Sequence, residues 1–157
     1  MTRSILIVTL VGLIAMGSSL SPAAAQGNIT PEDAAVLYRQ QIHQIIGNAM
    51  KSVGQIVKGQ AGDPSHLPLL TQIMATASKA LPKAWEDKAE PFIEKTTALP
   101  KIWDNWKDFS ARLDALQSET MTLAMIADRG DMAAFGPQLG KTGKVCKDCH
   151  EEYREKK

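Results

Sequence analysis

Cysteine occurs at two positions in this 157-residue chain, 146 and 149, and the residue after the second is a histidine. Cys146, Lys147, Asp148, Cys149 and His150 therefore make one Cys-x-x-Cys-His, the pattern through which a haem is attached covalently to a polypeptide. On a helix the cysteines are three apart and His150 lies four beyond Cys146, so all three side chains share a face. The thiols can then add to the two vinyl groups while His150 reaches the iron as the proximal ligand. Only residues 151–157 follow, and none is a usual second axial ligand, so that ligand is expected from upstream.

Two other chemistries use cysteines at this spacing. A thioredoxin-like dithiol needs a strand–helix unit around it, and the chain shows no strand pattern. A zinc site needs a fourth ligand and usually a second, separated pair, whereas both cysteines of this chain lie inside one motif. Haem c, one per chain and covalent, is the cofactor the motif points to.

The N-terminus agrees with that chemistry. Arg3 is followed by an apolar run from Ile5 to Met16 and then by Ser-Pro-Ala-Ala-Ala ending at Ala25. This order of basic, apolar and small residues predicts a cleaved signal peptide over residues 1–25, with an apolar run too short to span a bilayer comfortably. The mature chain is then 26–157, exported to the periplasm of a bacterium, with no membrane insertion of its own. The chain holds 18 basic and 17 acidic residues, and loss of Arg3 with the leader balances them. That neutrality offers no nucleic acid or acidic membrane a bulk electrostatic attraction. The mature length suits one domain with a sizeable core.

Apolar residues recur at spacings of three and four after the leader, which predicts an all-α chain. Thr30 can cap a first helix, Pro31 suits its first turn, and Glu32 and Asp33 sit at the positive end of its dipole. It should run to about Lys58, where Gly59 and Gly62-Asp63-Pro64 stop it. A second helix is expected over roughly His66 to Ala80, with Leu67, Leu70, Ile73, Met74 and Ala77 on one side. Residues 81–100 contain Pro82, Pro91 and Pro100 and read as an irregular connection with short helical turns at most. A third helix opens near Pro100 with Ile102, Trp106, Phe109, Leu113, Leu116, Thr120, Leu123 and Ala127 along one seam, and Arg129-Gly130 ends it. The fourth segment starts at Asp131; Pro137 and the glycines at 136, 140 and 143 predict a break or kink before a firm helix around the motif. The architecture is an antiparallel four-helix bundle with covalently bound haem on the C-terminal helix.

Pro31-Glu32-Asp33-Ala34, Tyr38-Arg39-Gln40, Val57-Lys58-Gly59, Leu99-Pro100-x-Ile102-Trp103 and the closing Cys146-x-x-Cys149-His150-x-x-Tyr153-Arg154 together resemble the class II cytochromes c, that is, cytochrome c′ and its low-spin relatives. The resemblance covers the whole mature chain and implies a four-helix bundle, often a homodimer. It also implies that the residue four beyond Arg39 faces the distal side of the iron and that Arg154 lies close to the proximal side. In that family the distal position commonly carries an apolar or aromatic residue in high-spin members and methionine in low-spin ones. This chain has His43 there.

The first helix thus decides between two functions. Val36, Arg39, His43, Ile46, Met50, Val53 and Val57 form one stripe, with Tyr38, Ile42, Ile45, Ala49 and Ile56 beside it, so the inward face is apolar apart from Arg39 and His43. A haem offers partners for both: a propionate for the arginine and iron for the imidazole. His43 as the distal ligand gives a six-coordinate, low-spin, bis-histidine haem. Met50, two turns on, could ligate only with a shifted helix and is otherwise core. Met74, Met121, Met125 and Met132 read as gap fillers, and His66 as a surface residue. Trp85, Trp103 and Trp106 read as packing residues, the first two at haem edges. Lys141, Lys144 and Lys147 suit a solvated face better than a docking rim.

The function these residues support is electron transfer as a single-haem periplasmic cytochrome, whose partners are other periplasmic redox proteins. The alternative is a five-coordinate haem that binds nitric oxide or carbon monoxide. An open site can show minor peroxidase activity, but no acid–base set accompanies it, so the chain reads as an electron carrier and not an enzyme.

Overall fold

The computed structural model describes residues 29–89 and 94–156. The leader expected over 1–25 lies outside them. Among the described residues the elements are α1 (Pro31–Val57), a 3₁₀ turn (Pro64–His66), α2 (Leu67–Ser78), α3 (Leu81–Trp85), α4 (Lys101–Asp104), α5 (Trp106–Asp128) and α6 (Met132–Tyr153). The long helices α1, α2, α5 and α6 form the antiparallel four-helix bundle. Its neighbours are packed in sequence: α1 on α2, α2 on α5, α5 on α6.

The start of α1 follows its sequence. Thr30 Oγ1 accepts the Asp33 N–H at 3.1 Å, with Pro31 in the first turn. Asp33 does more than complement the dipole, because it is only 1 % exposed. Its carboxylate accepts the Thr30 hydroxyl at 2.8 Å and the Glu94 N–H at 2.9 Å. The connection before α4 is thereby tied to the first turn of α1, with Gln40 Nε2 donating to the Lys95 carbonyl at 2.7 Å as a second tie. Asp33→Ala would strand the Glu94 N–H as well as remove the carboxylate's partners. We expect it to cost about 2 kcal/mol, read as a lower urea midpoint at unchanged slope.

Gly59 ends α1 with φ 65° and Gly130 ends α5 with φ 66°, both in the left-handed region that a side chain disfavours. Three expectations need correcting. The single helix expected from Pro100 is divided at Asn105, whose φ −116° and ψ 38° leave the helical region; its side-chain amide donates to the Lys101 carbonyl at 3.2 Å and closes off α4. The break expected near Pro137 is absent, since α6 is continuous through it. Pro137 removes one N–H near the beginning of the helix, where it and Ala133 are exposed and water can serve the orphaned carbonyl. The helix start is held by the Asp131 carboxylate, which accepts the Ala134 N–H at 3.0 Å.

The third correction concerns the inward face of α2. Ile73 is 37 % exposed, while Thr71, Ser78 and α5's Thr120 are fully buried. Thr71 and Thr120 donate to carbonyls one turn back at 2.8 Å, and Ser78 and Thr120 bond to each other at 3.0 Å across the interface. Hydroxyls satisfied in this way pack as small side chains in the α2–α5 contact. Of the methionines expected in the core, Met74 is fully buried, but Met121, Met125 and Met132 are exposed.

The apolar interior has two parts. One, around Val53, Met74, Leu123 and Phe135, closes the end of the bundle away from the motif. The other, around Ile42, Ile46, Leu81, Trp85, Ile102, Phe109 and Leu113, is the wall against which Cys146 and Cys149 pack.

Candidate functional site

Among the described residues α1 and α6 make little direct contact. They approach at Gly143, where an added Cβ would lie 3.4 Å from Met50 Cε. That close approach fixes the helix register. Gly143 precedes His150 by two turns of helix, roughly 10 Å along the axis, so Met50 belongs to the core beside α6 and not to the level of His150. The level of His150 is faced from α1 by His43 and Arg39.

His43 is largely enclosed, and its imidazole pKa is lowered to about 4, first by burial and then by the charges of His150 and Arg154. The ring is neutral at physiological pH and its lone pair is available to a metal or a donor. Trp85 Nε1–H donates to His43 Nε2 at 3.3 Å, the two rings meeting edge to face at 5.9 Å. The His150 pKa is lowered as well, by partial desolvation of its ring and then by Arg154. The two histidines and Arg154 thus fall within one electrostatic neighbourhood.

Arg39 is not a surface arginine. It is 3 % exposed; Nε donates to the Ala84 carbonyl at 2.7 Å and Nη2 to the Asp87 carbonyl. Its guanidinium lies over Trp85 at 4.8 Å and Trp103 at 5.6 Å. Burial lowers its pKa, with Asp87 opposing the shift. Beside it the Trp103 Nε1–H is buried with no acceptor among the described residues. A buried cation whose hydrogen bonds among the described residues go to carbonyls, beside a buried donor without an acceptor there, suits an anionic acceptor. A haem propionate supplies one, and the residues present therefore fit the group.

The motif end of α6 is anchored from three sides. Tyr153 is buried; its hydroxyl donates to Asp108 Oδ2 at 2.6 Å, and Arg112 Nε donates to the same oxygen at 2.6 Å. Burial and the adjacent carboxylate push the Tyr153 pKa up to about 12. Past the helix the backbone extends: the Leu99 N–H donates to the Tyr153 carbonyl at 3.0 Å and the Glu155 N–H to the Thr97 carbonyl at 2.8 Å. Arg154, in this extended stretch opposite Ala98, is exposed, and its charge reaches both histidines.

The cysteines separate the remaining chemistries. Both side chains are half-buried. Burial raises the pKa of Cys146, and that of Cys149 to about 11 despite Arg112. A redox dithiol needs the opposite shift, and it gains that shift at a helix N-terminus, not near a C-terminus. No cluster of three or more His, Cys, Asp or Glu suited to a metal ion occurs among the described residues.

Of the residues singled out in the sequence, the structure brings together Arg39, His43, Cys146, Cys149, His150 and Arg154. His66 stands apart on the surface. Lys144 pairs with Asp148 at 2.6 Å and Lys147 with Glu151 at 3.5 Å, so this face is locally neutralised and solvated. Sequence reasoning missed the Trp85–His43 bond and the orphaned Trp103 donor. Both depend on contacts between distant segments, and only the tryptophan content of the connection hinted at them.

A family model described as cytochrome c′ matches residues 34–154. The chain is 34% identical over 128 residues to the cytochrome c′ of Alcaligenes xylosoxydans xylosoxydans, an alignment that covers 81% of this chain and 97% of that one. Among solved structures, cytochrome c prime from Shewanella frigidimarina superposes with a TM-score of 0.74 at 27% identity, covering 82% of this chain and 100% of that one. The nitric oxide complex of a mutant of cytochrome c prime from Alcaligenes xylosoxidans superposes with a TM-score of 0.70 at 29% identity, covering 83% of this chain and 100% of that one.

Proposed function

The chain belongs to the cytochrome c′ family and carries one covalently bound haem c, and from that premise we propose that it is a periplasmic electron-transfer cytochrome whose sixth coordination position is closed by His43. Cys146 and Cys149 hold the porphyrin by thioethers, and His150 is the proximal ligand. Arg39 and Trp103 receive a propionate, and Arg154 sets the charge on the proximal side. The bound group supplies a ferric/ferrous couple. What this chain adds is a neutral imidazole on α1, at the level of His150 and largely shut off from water. That placement of His43 is the observation that carries the reading.

On this reading the protein is an electron carrier whose partners are other periplasmic redox proteins. Residues 1–25 are the export leader removed on the way, and a homodimer is one assembly open to the mature chain. No helix among the described residues is long and apolar enough to cross a membrane.

Visible spectra of the purified protein test the reading. We expect low-spin spectra in both oxidation states. High-spin spectra with rapid gas uptake would instead favour gas binding, the alternative to which the nitric oxide complex of the Alcaligenes relative lends support.

Arg39 offers an independent check. A buried cation beside the haem favours the reduced form, which carries one positive charge less. Arg39→Leu should therefore lower the reduction potential, on the order of 50 mV at an effective dielectric constant near 20. Arg39→Lys should lower it less. Spectroelectrochemical titration reads the shift, and an unchanged potential would separate Arg39 from the haem.

A further inference from the structure

We propose that Trp85 is the positioning residue that sets how firmly His43 closes the sixth position, because its indole N–H competes with the iron for the lone pair on His43 Nε2. This rests on the reading that His43 reaches the iron. An imidazole nitrogen has one in-plane lone pair, so Nε2 cannot accept the Trp85 N–H and ligate a metal at once. The bond from Trp85 Nε1–H to His43 Nε2 at 3.3 Å offers that lone pair a partner other than the metal. His43 therefore has two berths, and the second is built into the fold.

Trp85 is a rigid berth. It is 6 % exposed and sits at the end of α3, whose Leu81 is fully buried. Phe109 meets the indole edge to face at 5.1 Å, Trp103 lies at 6.0 Å, and the Arg39 guanidinium covers the ring at 4.8 Å. With three neighbours fixing its plane, the N–H stays aimed at α1 whichever berth the imidazole occupies. An off-iron His43 that would otherwise leave an unpaired buried acceptor is instead hydrogen-bonded, so opening is less costly. The Trp103 donor does not take this role, since its N–H meets no acceptor among the described residues and is left to the propionate. The consequence is a sixth position that is closed at rest yet opens readily to an incoming small ligand.

Trp85→Phe keeps an aromatic ring on the shelf between Arg39 and Phe109 and deletes the donor. We read two quantities on the intact holoprotein: the low-spin fraction of the ferric spectrum, and the carbon monoxide association rate of the ferrous form by stopped flow. Losing one net hydrogen bond from the open state should slow association about five-fold and raise any incomplete low-spin fraction. In a His43→Ala background Trp85→Phe should change neither. A low-spin wild type whose association rate is the same in Trp85→Phe overturns the competition and leaves His43 as the ligand. An equal change in both backgrounds also overturns it, since Trp85 would then act without His43. A high-spin wild type that turns low-spin on Trp85→Phe upholds the competition and refutes His43 as the resting ligand; one that stays high-spin refutes both. Should Trp85→Phe fold poorly, benzothienylalanine at position 85, which keeps the bicyclic shape and lacks the N–H, carries the same comparison.

Discussion

His43→Ala is expected to convert the ferric and ferrous spectra from low-spin to high-spin and to speed carbon monoxide uptake by the ferrous protein about a hundred-fold. The size follows from population. If the sixth position is open in about one molecule in a hundred, a ligand that needs it open gains about that factor when the closing side chain is removed. Alanine also removes the acceptor for the Trp85 N–H, but that donor sits beside a newly vacated volume that water can enter. His66→Ala, on the exposed 3₁₀ turn, should change neither spectrum nor rate and serves as the control. Stopped-flow mixing with carbon monoxide reads the rate, and a wild type already as fast as His43→Ala would move His43 off the iron.

The other large effect belongs to the thioethers. In wild type the haem should remain on the polypeptide through acid-acetone extraction, and the paired change Cys146→Ala with Cys149→Ala should release it. Without the group the wall formed by Ile42, Ile46, Phe109 and Leu113 faces a gap between α1 and α6, two helices that hardly support each other. Arg39 and the Trp103 N–H would lose their anionic partner. A ligand that binds only the folded state contributes its whole binding free energy to stability. Its loss should consume most of the roughly 5–15 kcal/mol available to a domain of this size. A far-UV melt of the doubly substituted chain should be broad and shifted far down. A sharp melt near the wild-type temperature would show that the bundle does not depend on the group.

Much of this is legible in the sequence because it is local. Thr30, Pro31 and Gly59 bound α1 within one chain segment, and Cys146 to His150 carry their chemistry in five residues. Arg39 stands out by the same logic, as a charge on an apolar stripe. The failures come from two sources. Pro137 reads as a helix breaker, although near the start of an exposed helix end it costs one hydrogen bond that solvent replaces. Thr71 and Ser78 rank below Ile73 as core because hydroxyls look polar, yet each is satisfied by its own helix. The Trp85 bond to His43 has no local signature at all. It exists only because α3 is folded back against α1.

The place of the site along the chain also has a consequence in time. α1 with α2 and α5 with α6 are neighbours in sequence, whereas Arg39 and His43 meet residues 146–154 only across more than a hundred positions. Contacts between such distant segments close late, after the entropy of the intervening loop has been overcome. Everything needed for covalent attachment, by contrast, lies on a few residues of α6. The tether can thus be made on an unfolded chain emerging from export, and α1 then closes over a group already in place. The ties at Thr97, Leu99 and Glu94, which join the connection to both α6 and α1, would be the last latch on a chamber furnished before its walls stood.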